Sequence, residues 1–250
     1  MMNIEKDKEK LDQMIRITSN KTGFSTLMIE KDYYLTLLLS GINQELDENL
    51  IFKGGTCLSK IYLDYYRLSE DLDFTMQIPD KNIRTIRSRI MKNMKIINYL
   101  SKFDLKLDKK FNNGGRNESR QYIYRFIYDS IINNQQGYIK LDISLRFNPM
   151  LPIENLEIKH KFYDPFNNNL LFSAGKIKCL SFEELVAEKL RAAVSRKIIA
   201  PRDFFELWFL LKNKFDFTQK KFLDIYARKL KEENIDKKIE LTLQNLNRTE

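Results

Sequence analysis

Two linked segments decide the fold: KGGTCLSK at residues 53–60 and RLSEDLDF at residues 67–74. In the first segment a short apolar strand ends at Gly54-Gly55, and the residues that follow have apolar side chains at helical spacing. In the second, acidic or polar residues alternate with apolar ones from Asp71 onward, which is typical of a strand with one face in a core. The pattern predicts a strand, a glycine turn, a helix and a second strand with two acidic side chains.

The glycine turn is a candidate phosphate-binding element. Gly54 and Gly55 have no side chain, so backbone N–H groups at the start of the helix can approach phosphate oxygens closely. Thr56 can add a hydroxyl donor. A Gly-Gly sequence before a helix is also compatible with a plain turn, and the turn alone does not decide between the two interpretations.

The acidic strand is a candidate metal-binding element. Asp71 and Asp73 are two residues apart on a strand, so both carboxylates project from one face, about 7 Å apart. Like charges held in this way repel each other, and a divalent cation relieves the repulsion. Such a pair can hold metal ions that bridge the phosphates of a nucleoside triphosphate. The alternative is a solvated strand face with two surface aspartates.

A third carboxylate, Asp142, lies on the polar face of the strand predicted at residues 138–146. If this strand neighbours the first, Asp142 lies close to Asp71 and the three carboxylates form a catalytic metal centre, with Asp142 helping to deprotonate an acceptor hydroxyl. The chain has one histidine and two cysteines, so a hard cation, Mg²⁺ or Mn²⁺, is the predicted metal. An ordinary polar position on an amphipathic strand is the alternative for Asp142.

Composition restricts the class of protein and its partners. The chain of 250 residues is 43% hydrophobic and 31% charged, with a net charge of +9, which favours polyanionic partners. A lysine-rich composition can also reflect the coding bias of an AT-rich genome. The sequence shows neither a signal peptide nor an apolar stretch that could span a bilayer, so we expect a cytoplasmic protein without a membrane partner.

The order of elements predicts two domains, a mixed α/β domain at residues 1–155 and a mainly helical domain at residues 156–250. Ser181 and Glu184 have the spacing of a capping box that opens a helix reaching Ser195. Other predicted elements are helices at residues 2–18, 25–42, 80–100 and 202–212 and strands at residues 103–111 and 121–132. The alternating aromatics of that last strand favour sheet packing over base stacking, and the basic helix at 80–100 could attract an RNA backbone.

Three ordered blocks resemble the AbiEii/AbiGii toxin family of the DNA polymerase β-like nucleotidyltransferase superfamily. They are EKDY at residues 30–33, the two segments described first, and SFEELVAEKLR at residues 181–191 with RDFFEL at residues 202–207. The resemblance implies an α+β fold in which a polymerase β-like mixed sheet with flanking helices packs against a C-terminal helical bundle. It also implies transfer of a nucleoside monophosphate from a nucleoside triphosphate to an acceptor hydroxyl.

The resemblance assigns roles to individual residues. Asp71 and Asp73 are implied as metal ligands, Lys189 as a contact of the triphosphate, and Ser69 as a position linked to regulation. The full set expected at the nucleotide is Gly54, Gly55, Thr56, Lys60, Ser69, Lys189, Arg202 and Asp203. Without the resemblance, Lys189 reads as part of a solvated helix face, and Arg202 with Asp203 as a helix start.

The resemblance further implies a toxin of a type IV toxin–antitoxin or phage-defence system, with RNA, plausibly transfer RNA, as acceptor and a cognate antitoxin as partner. Two alternatives stay open. The acceptor could be a protein or a small molecule, since any hydroxyl would serve the same chemistry. The chain could also be a module that binds nucleic acid or antitoxin and keeps only the fold.

Overall fold

The computed structural model describes residues 7–45, 49–76, 103–112, 114–116, 120–164, 169–196 and 198–232. The chain divides into two compact units, the first formed by Met1–Asn148 and Glu154–Cys179 and the second by Pro149–Ile153 and Leu180–Glu250. This division differs from the predicted one at residues 155/156, which falls within a strand of the first unit. The helix predicted at residues 80–100 lies outside the described residues.

The first unit contains one mixed sheet with the strand order β3-β5-β6-β2-β1-β8-β7, and β4 also pairs with β5. β2 pairs parallel with β6 and antiparallel with β1, while β1 pairs parallel with β8. The mixed sheet agrees with the predicted α+β class. The strands are β1 (Leu50–Lys53), β2 (Asp71–Met76), β3 (Lys106–Leu107), β4 (Gly114–Arg116), β5 (Gln121–Asp129), β6 (Gln136–Ser144), β7 (Glu154–Glu157) and β8 (Lys176–Cys179).

The central strands have one apolar and one polar face. Leu72 on β2 is opposite Leu141 on β6, and both are buried. Two helices precede the sheet, α1 (Lys8–Thr22) and α2 (Thr26–Glu45). α2 packs on the apolar face, where Tyr34 stacks on Tyr128 of β5 with ring centroids 4.3 Å apart. The aromatic side chains of β5 are therefore packed in the core, as the alternation predicted: Tyr122, Tyr124, Phe126 and Tyr128.

Between β1 and β2 the chain forms a short helix, α3 (Gly54–Cys57), that continues as a π-helical turn over Leu58–Tyr62. The side chain of Lys60 in this turn is 2% exposed, and its Nζ lies 2.8 Å from Asp32 Oδ1 of α2. It also donates hydrogen bonds to the hydroxyls of Thr36 and Tyr65. Lys60, predicted to bind nucleotide, instead joins the helix after the glycine turn to α2, because its ammonium group is buried among these partners.

The second unit contains α4 (Phe182–Ser195), α5 (Pro201–Lys212) and α6 (Lys220–Glu232). The predicted capping box is wrong, since Ser181 makes no side-chain cap hydrogen bond. Glu184 is buried and accepts hydrogen bonds from the backbone N–H groups of Met150 and Leu151. It also forms a 2.7 Å ion pair with Lys229 of α6. Glu184 thus holds the segment 149–153 and α6 to α4 rather than capping the helix.

Helices long and apolar enough to cross a bilayer are absent from the described parts of both units.

The buried Lys60–Asp32 pair generates a stability prediction. Asp32→Asn leaves the ammonium of Lys60 without its counter-charge, so we expect the free energy of unfolding to fall by about 3–5 kcal/mol. The matched control is Asp64→Asn, which breaks the more exposed pair between Lys161 Nζ and Asp64 Oδ1, 2.7 Å apart. The control should lose less than about 1 kcal/mol. Urea unfolding measures both, and equal losses would contradict a structural role for the buried pair.

Candidate active site

The polar face of the sheet brings the three predicted carboxylates together on neighbouring strands. Asp71 and Asp73 lie on one face of β2, and Asp142 of β6 is in register with Asp73. The cross-strand neighbour of Asp142 is Asp73, and Asp71 lies two residues away on the same strand, opposite Lys140. On the other side, Lys53 of β1 is opposite Asp73. Asp73 thus stands between a lysine and a carboxylate.

The electrostatics of this face centre on Asp73. Burial raises the pKa of Asp73 above its usual value of 3.8, and the neighbouring carboxylates of Asp142 and Asp71 raise it further. Lys53 and Lys140 act in the opposite direction but do not outweigh burial. A carboxylate in this environment gains from an additional cation, because a positive charge would offset both the desolvation and the repulsion.

Asp142 already has close partners. Gln121 Nε2 lies 3.0 Å from Oδ1 and 2.7 Å from Oδ2 of Asp142, and Lys140 Nζ lies 3.3 Å from Oδ2. Among the described residues, no group of three or more His, Cys, Asp or Glu side chains is arranged to hold a metal ion. In this structure the Asp142 carboxylate is bonded to an amide and an ammonium group, and a metal centre formed by Asp71, Asp73 and Asp142 stays a prediction.

The glycine turn is joined directly to the carboxylate strand. Gly54 has φ of +81°, a conformation that favours glycine, and a Cβ added there would overlap Asp73 Oδ2 and lie 2.9 Å from the Asp73 Cβ. The hydroxyl of Thr56 donates to the backbone carbonyl of Asp71. Thr56 was predicted to offer this hydroxyl to phosphate, but the structure uses it to fasten α3 to β2. Gly55 is buried in the same turn.

Ser69 lies in the loop before β2 and lines a pocket of about 260 Å³ with Lys31, Glu70 and Tyr128 among its other walls. Across this pocket Lys31 Nζ and Glu70 Oε2 form a 2.7 Å ion pair. Ser69 is thus two residues from Asp71 and open to a small cavity. A role for it at the nucleotide stays a prediction.

The remaining predicted residues belong to the second unit. Lys189 Nζ lies 2.6 Å from Glu206 Oε2 and 3.7 Å from Asp203 Oδ1. Asp203, almost fully buried, also pairs with Arg196, whose Nη1 is 3.0 Å from its Oδ2. Arg202 is exposed beside them on α5. The structure therefore brings Lys189 and Asp203 together as members of one buried ion-pair network.

Three polar residues of the carboxylate face were not identified from sequence. Lys53 precedes the glycine turn, and Lys140 is two residues before Asp142, so both alternate onto the polar faces of their strands. That alternation could have indicated them, but only with the register of β1, β2 and β6 known. Gln121 carries no comparable signal, since only the pairing of β5 with β6 brings it to Asp142.

The mixed sheet, the glycine turn and the acidic strand together define a nucleotidyltransferase type of fold. The family model of the AbiEii nucleotidyl transferase toxins of type IV toxin–antitoxin systems matches residues 37–250. The chain belongs to this family.

The similarity to one solved structure, MenT4, supports the fold. The chain is similar to MenT4, a nucleotidyltransferase toxin from Mycobacterium tuberculosis H37Rv, with 20% identity and a TM-score of 0.55; the similarity covers 78% of this chain and 62% of MenT4. It is also similar to JHP933 from Helicobacter pylori, with 18% identity over 82% of this chain and 73% of JHP933, at a TM-score of 0.47. A comparison with curated proteins gives no match.

The contact between Gly54 and Asp73 generates a prediction with an internal control. Gly54→Ala must strain a positive φ, at a cost of about 1–2 kcal/mol, and displace the Asp73 carboxylate. Gly23→Ala strains a φ of +77° where a Cβ would meet no atom within 4 Å. We expect nucleotidyl transfer to fall on the order of 100-fold in Gly54→Ala and to persist in Gly23→Ala. Similar activity in the two variants, measured at matched folded fractions, would contradict the importance of this contact.

The raised pKa of Asp73 generates a stability prediction with a defined sign. A carboxyl group whose pKa is higher in the folded state makes the fold less stable as pH rises from the unfolded value of 3.8 through the folded value. Asp73→Asn removes this charge, so it should be more stable than wild type in urea at pH 7. The advantage should shrink as pH falls and Asp73 becomes protonated. An advantage that is independent of pH would show that the carboxylate charge is not its cause.

Proposed function

We propose that the protein is a metal-dependent nucleotidyltransferase that moves a nucleoside monophosphate from a nucleoside triphosphate to a hydroxyl group of an RNA. The observation that carries the proposal is the arrangement of Asp71 and Asp73 on one face of β2, in contact with the Gly54 turn. Family membership supports the reaction class. The acceptor and the metal are inferred from the charge of the chain and of the site.

Asp71 and Asp73 fit a divalent cation, because they are hard oxygen ligands in a site that gains from added positive charge. Mg²⁺ or Mn²⁺ held there would supply Lewis-acid stabilisation of the phosphate oxygens. Asp142, positioned by Gln121, would act as the general base, and a role as a metal ligand would require release of its Oδ2 from Lys140. The glycine turn would bind the triphosphate through backbone N–H groups, since the Thr56 hydroxyl already has a partner.

The proposed reaction is an in-line displacement at the α-phosphorus. The acceptor hydroxyl transfers its proton to a carboxylate of the polar face, and its oxygen forms the new bond to phosphorus. The bond between the α-phosphorus and the bridging oxygen breaks, and pyrophosphate leaves. Positioning and charge stabilisation provide most of the catalysis in phosphoryl transfer, so the rigid turn-to-strand contact is well suited to it.

The net positive charge of the chain, with 43 basic and 34 acidic residues, supports an RNA acceptor because it favours binding of a polyanion. Transfer RNA is the specific acceptor that we propose, with growth arrest as the consequence, a cognate antitoxin as the partner and the cytoplasm as the location. A contact of Lys189, Arg202 or Asp203 with the nucleotide is part of the same proposal. For Lys189 it requires release from Glu206, because the two form a 2.6 Å ion pair.

The test is incubation of the protein with α-phosphate-labelled nucleoside triphosphates, Mg²⁺ and total RNA. We expect label in RNA with the wild type, a loss of at least about 100-fold in Asp71→Asn and in Asp73→Asn, and unchanged labelling in the control Asp64→Asn. Removal of metal with EDTA should stop labelling, and Mg²⁺ should restore it.

Each alternative predicts a different pattern of label. Label confined to protein would contradict an RNA acceptor, and label in a small molecule would do the same. Absence of label in every fraction with the wild type, or toxicity in cells that both aspartate variants retain, would favour a module that binds but does not catalyse.

A further inference from the structure

The polar face of the sheet continues beyond the carboxylates onto β6 and β5. Tyr138 lies two residues before Lys140 and therefore on the same face, about 7 Å farther along β6. Its side chain is 49% exposed, at a position where β6 pairs with β5 but lies beyond the part of β6 that pairs with β2. The candidate active site consists of the carboxylates of β2 and β6 and the glycine turn, and it does not include this aromatic ring.

Tyr138 belongs to a group of aromatic and cationic side chains. The Cζ of Arg125 lies 5.0 Å from the ring centroid of Tyr138 and 5.0 Å from that of Phe111, so the guanidinium contacts both rings. Lys31 Nζ lies 5.1 Å from the Tyr138 centroid. We call Phe111, Arg125 and Tyr138 the aromatic platform, with Lys31 at its edge.

An ion pair with Asp108 holds the guanidinium group of the platform in place. Asp108, which is buried, accepts from Arg125 Nε at 2.6 Å, and Arg125 Nη2 lies 2.5 Å from the same carboxylate oxygen. The Asp108 carboxylate also accepts from the backbone N–H of Lys110. The guanidinium is thus fixed in orientation before any ligand arrives. Stacking of a base against the platform would therefore cost little free energy for ordering the Arg125 side chain.

The order of strands decides which substrate the platform faces. Across the sheet the order is β5, β6, β2, β1, so the platform lies on one side of Asp71 and Asp73 and the Gly54 turn lies on the other. In an in-line displacement, the attacking oxygen and the leaving pyrophosphate occupy opposite sides of the phosphorus. If the turn binds the triphosphate, the acceptor approaches from the side of the platform.

We propose that the aromatic platform binds an unpaired nucleobase of a single-stranded RNA acceptor and so presents the acceptor hydroxyl to Asp71 and Asp73. The inference rests on the proposed function for the direction of approach. Planar rings with adjacent cations are the arrangement that binds single-stranded nucleic acid without regard to sequence. The site therefore takes any unpaired base at the reacting end of the RNA.

The test measures binding of a fluorescein-labelled oligoadenylate RNA in the absence of nucleoside triphosphate. Stacking on one aromatic side chain is worth about 1–3 kcal/mol, so Tyr138→Ala should weaken binding roughly 5- to 150-fold. Tyr138→Phe keeps the ring and should retain the affinity. The matched control is Tyr163→Ala, which removes another ring that has a lysine, Lys21, at 5.9 Å but does not lie on the polar face.

The salt dependence separates stacking from charge. Tyr138→Ala removes no phosphate contact, so the dissociation constant should rise by the same factor at low and at high salt. Thermal unfolding of the variants accompanies the measurement, and Tyr138→Phe keeps the test valid if Tyr138→Ala folds poorly. In that case, the affinity for an oligoadenylate is compared with the affinity for the same strand with an abasic terminal residue. We expect wild type and Tyr138→Phe to bind the intact strand more tightly.

Unchanged RNA affinity in Tyr138→Ala would overturn the inference. A higher KM for the nucleoside triphosphate with unchanged RNA affinity would also overturn it, because the ring would then bind the incoming base. Failure of the proposed function is distinguishable, since it would show as an absence of label in RNA with the wild type or as full labelling by Asp71→Asn and Asp73→Asn. The dependence of RNA affinity on Tyr138 does not involve that reaction.

Discussion

Repulsion between acidic side chains on one face of a sheet is the constraint on which the rest of the site depends. Asp73 has a carboxylate neighbour on its own strand and another on β6, and both act with burial to raise the pKa of Asp73. The protein opposes this repulsion with Lys53 and Lys140 rather than by separating the acids. A face that concentrates negative charge beside two ammonium groups would be stabilised further by a divalent cation.

The two lysines that the family resemblance assigned to the nucleotide show why such assignments need a structure. Lys60 and Lys189 both follow family motifs, yet each forms a short ion pair with a buried carboxylate of its own unit, Lys60 with Asp32 and Lys189 with Glu206. A lysine inside a motif is compatible with a ligand contact and with a structural ion pair. The sequence contains no feature that distinguishes these two roles. Burial decides for Lys60, because its desolvated ammonium needs a permanent counter-charge whether or not a ligand is bound.

The features that the sequence predicted well are those set by local periodicity. The alternation in β2 and β6, the glycine turn and the helices at Phe182 and Pro201 all follow from residue spacing within a single element. The failures involve contacts between elements. Glu184 has the spacing of a capping residue, but its carboxylate binds backbone N–H groups more than thirty positions away. Likewise, Gln121 reaches Asp142 only through strand pairing, and no pattern in either strand encodes that register.

The distribution of the residues over different strands also explains how one fold can combine a general reaction with a particular acceptor. The groups that would handle phosphate, Asp71 and Asp73 with the Gly54 turn, lie on β1 and β2, which are adjacent along the chain and joined by one short helical segment. Tyr138 and Arg125 lie on β6 and β5, which form a separate hairpin, so substitutions there can change what the platform accepts while the turn-to-strand contact is preserved. The side chains placed on a fold, rather than the fold itself, determine its chemistry. Among relatives with this sheet, differences in acceptor preference should therefore correlate with differences in the β5–β6 hairpin rather than in the acidic strand.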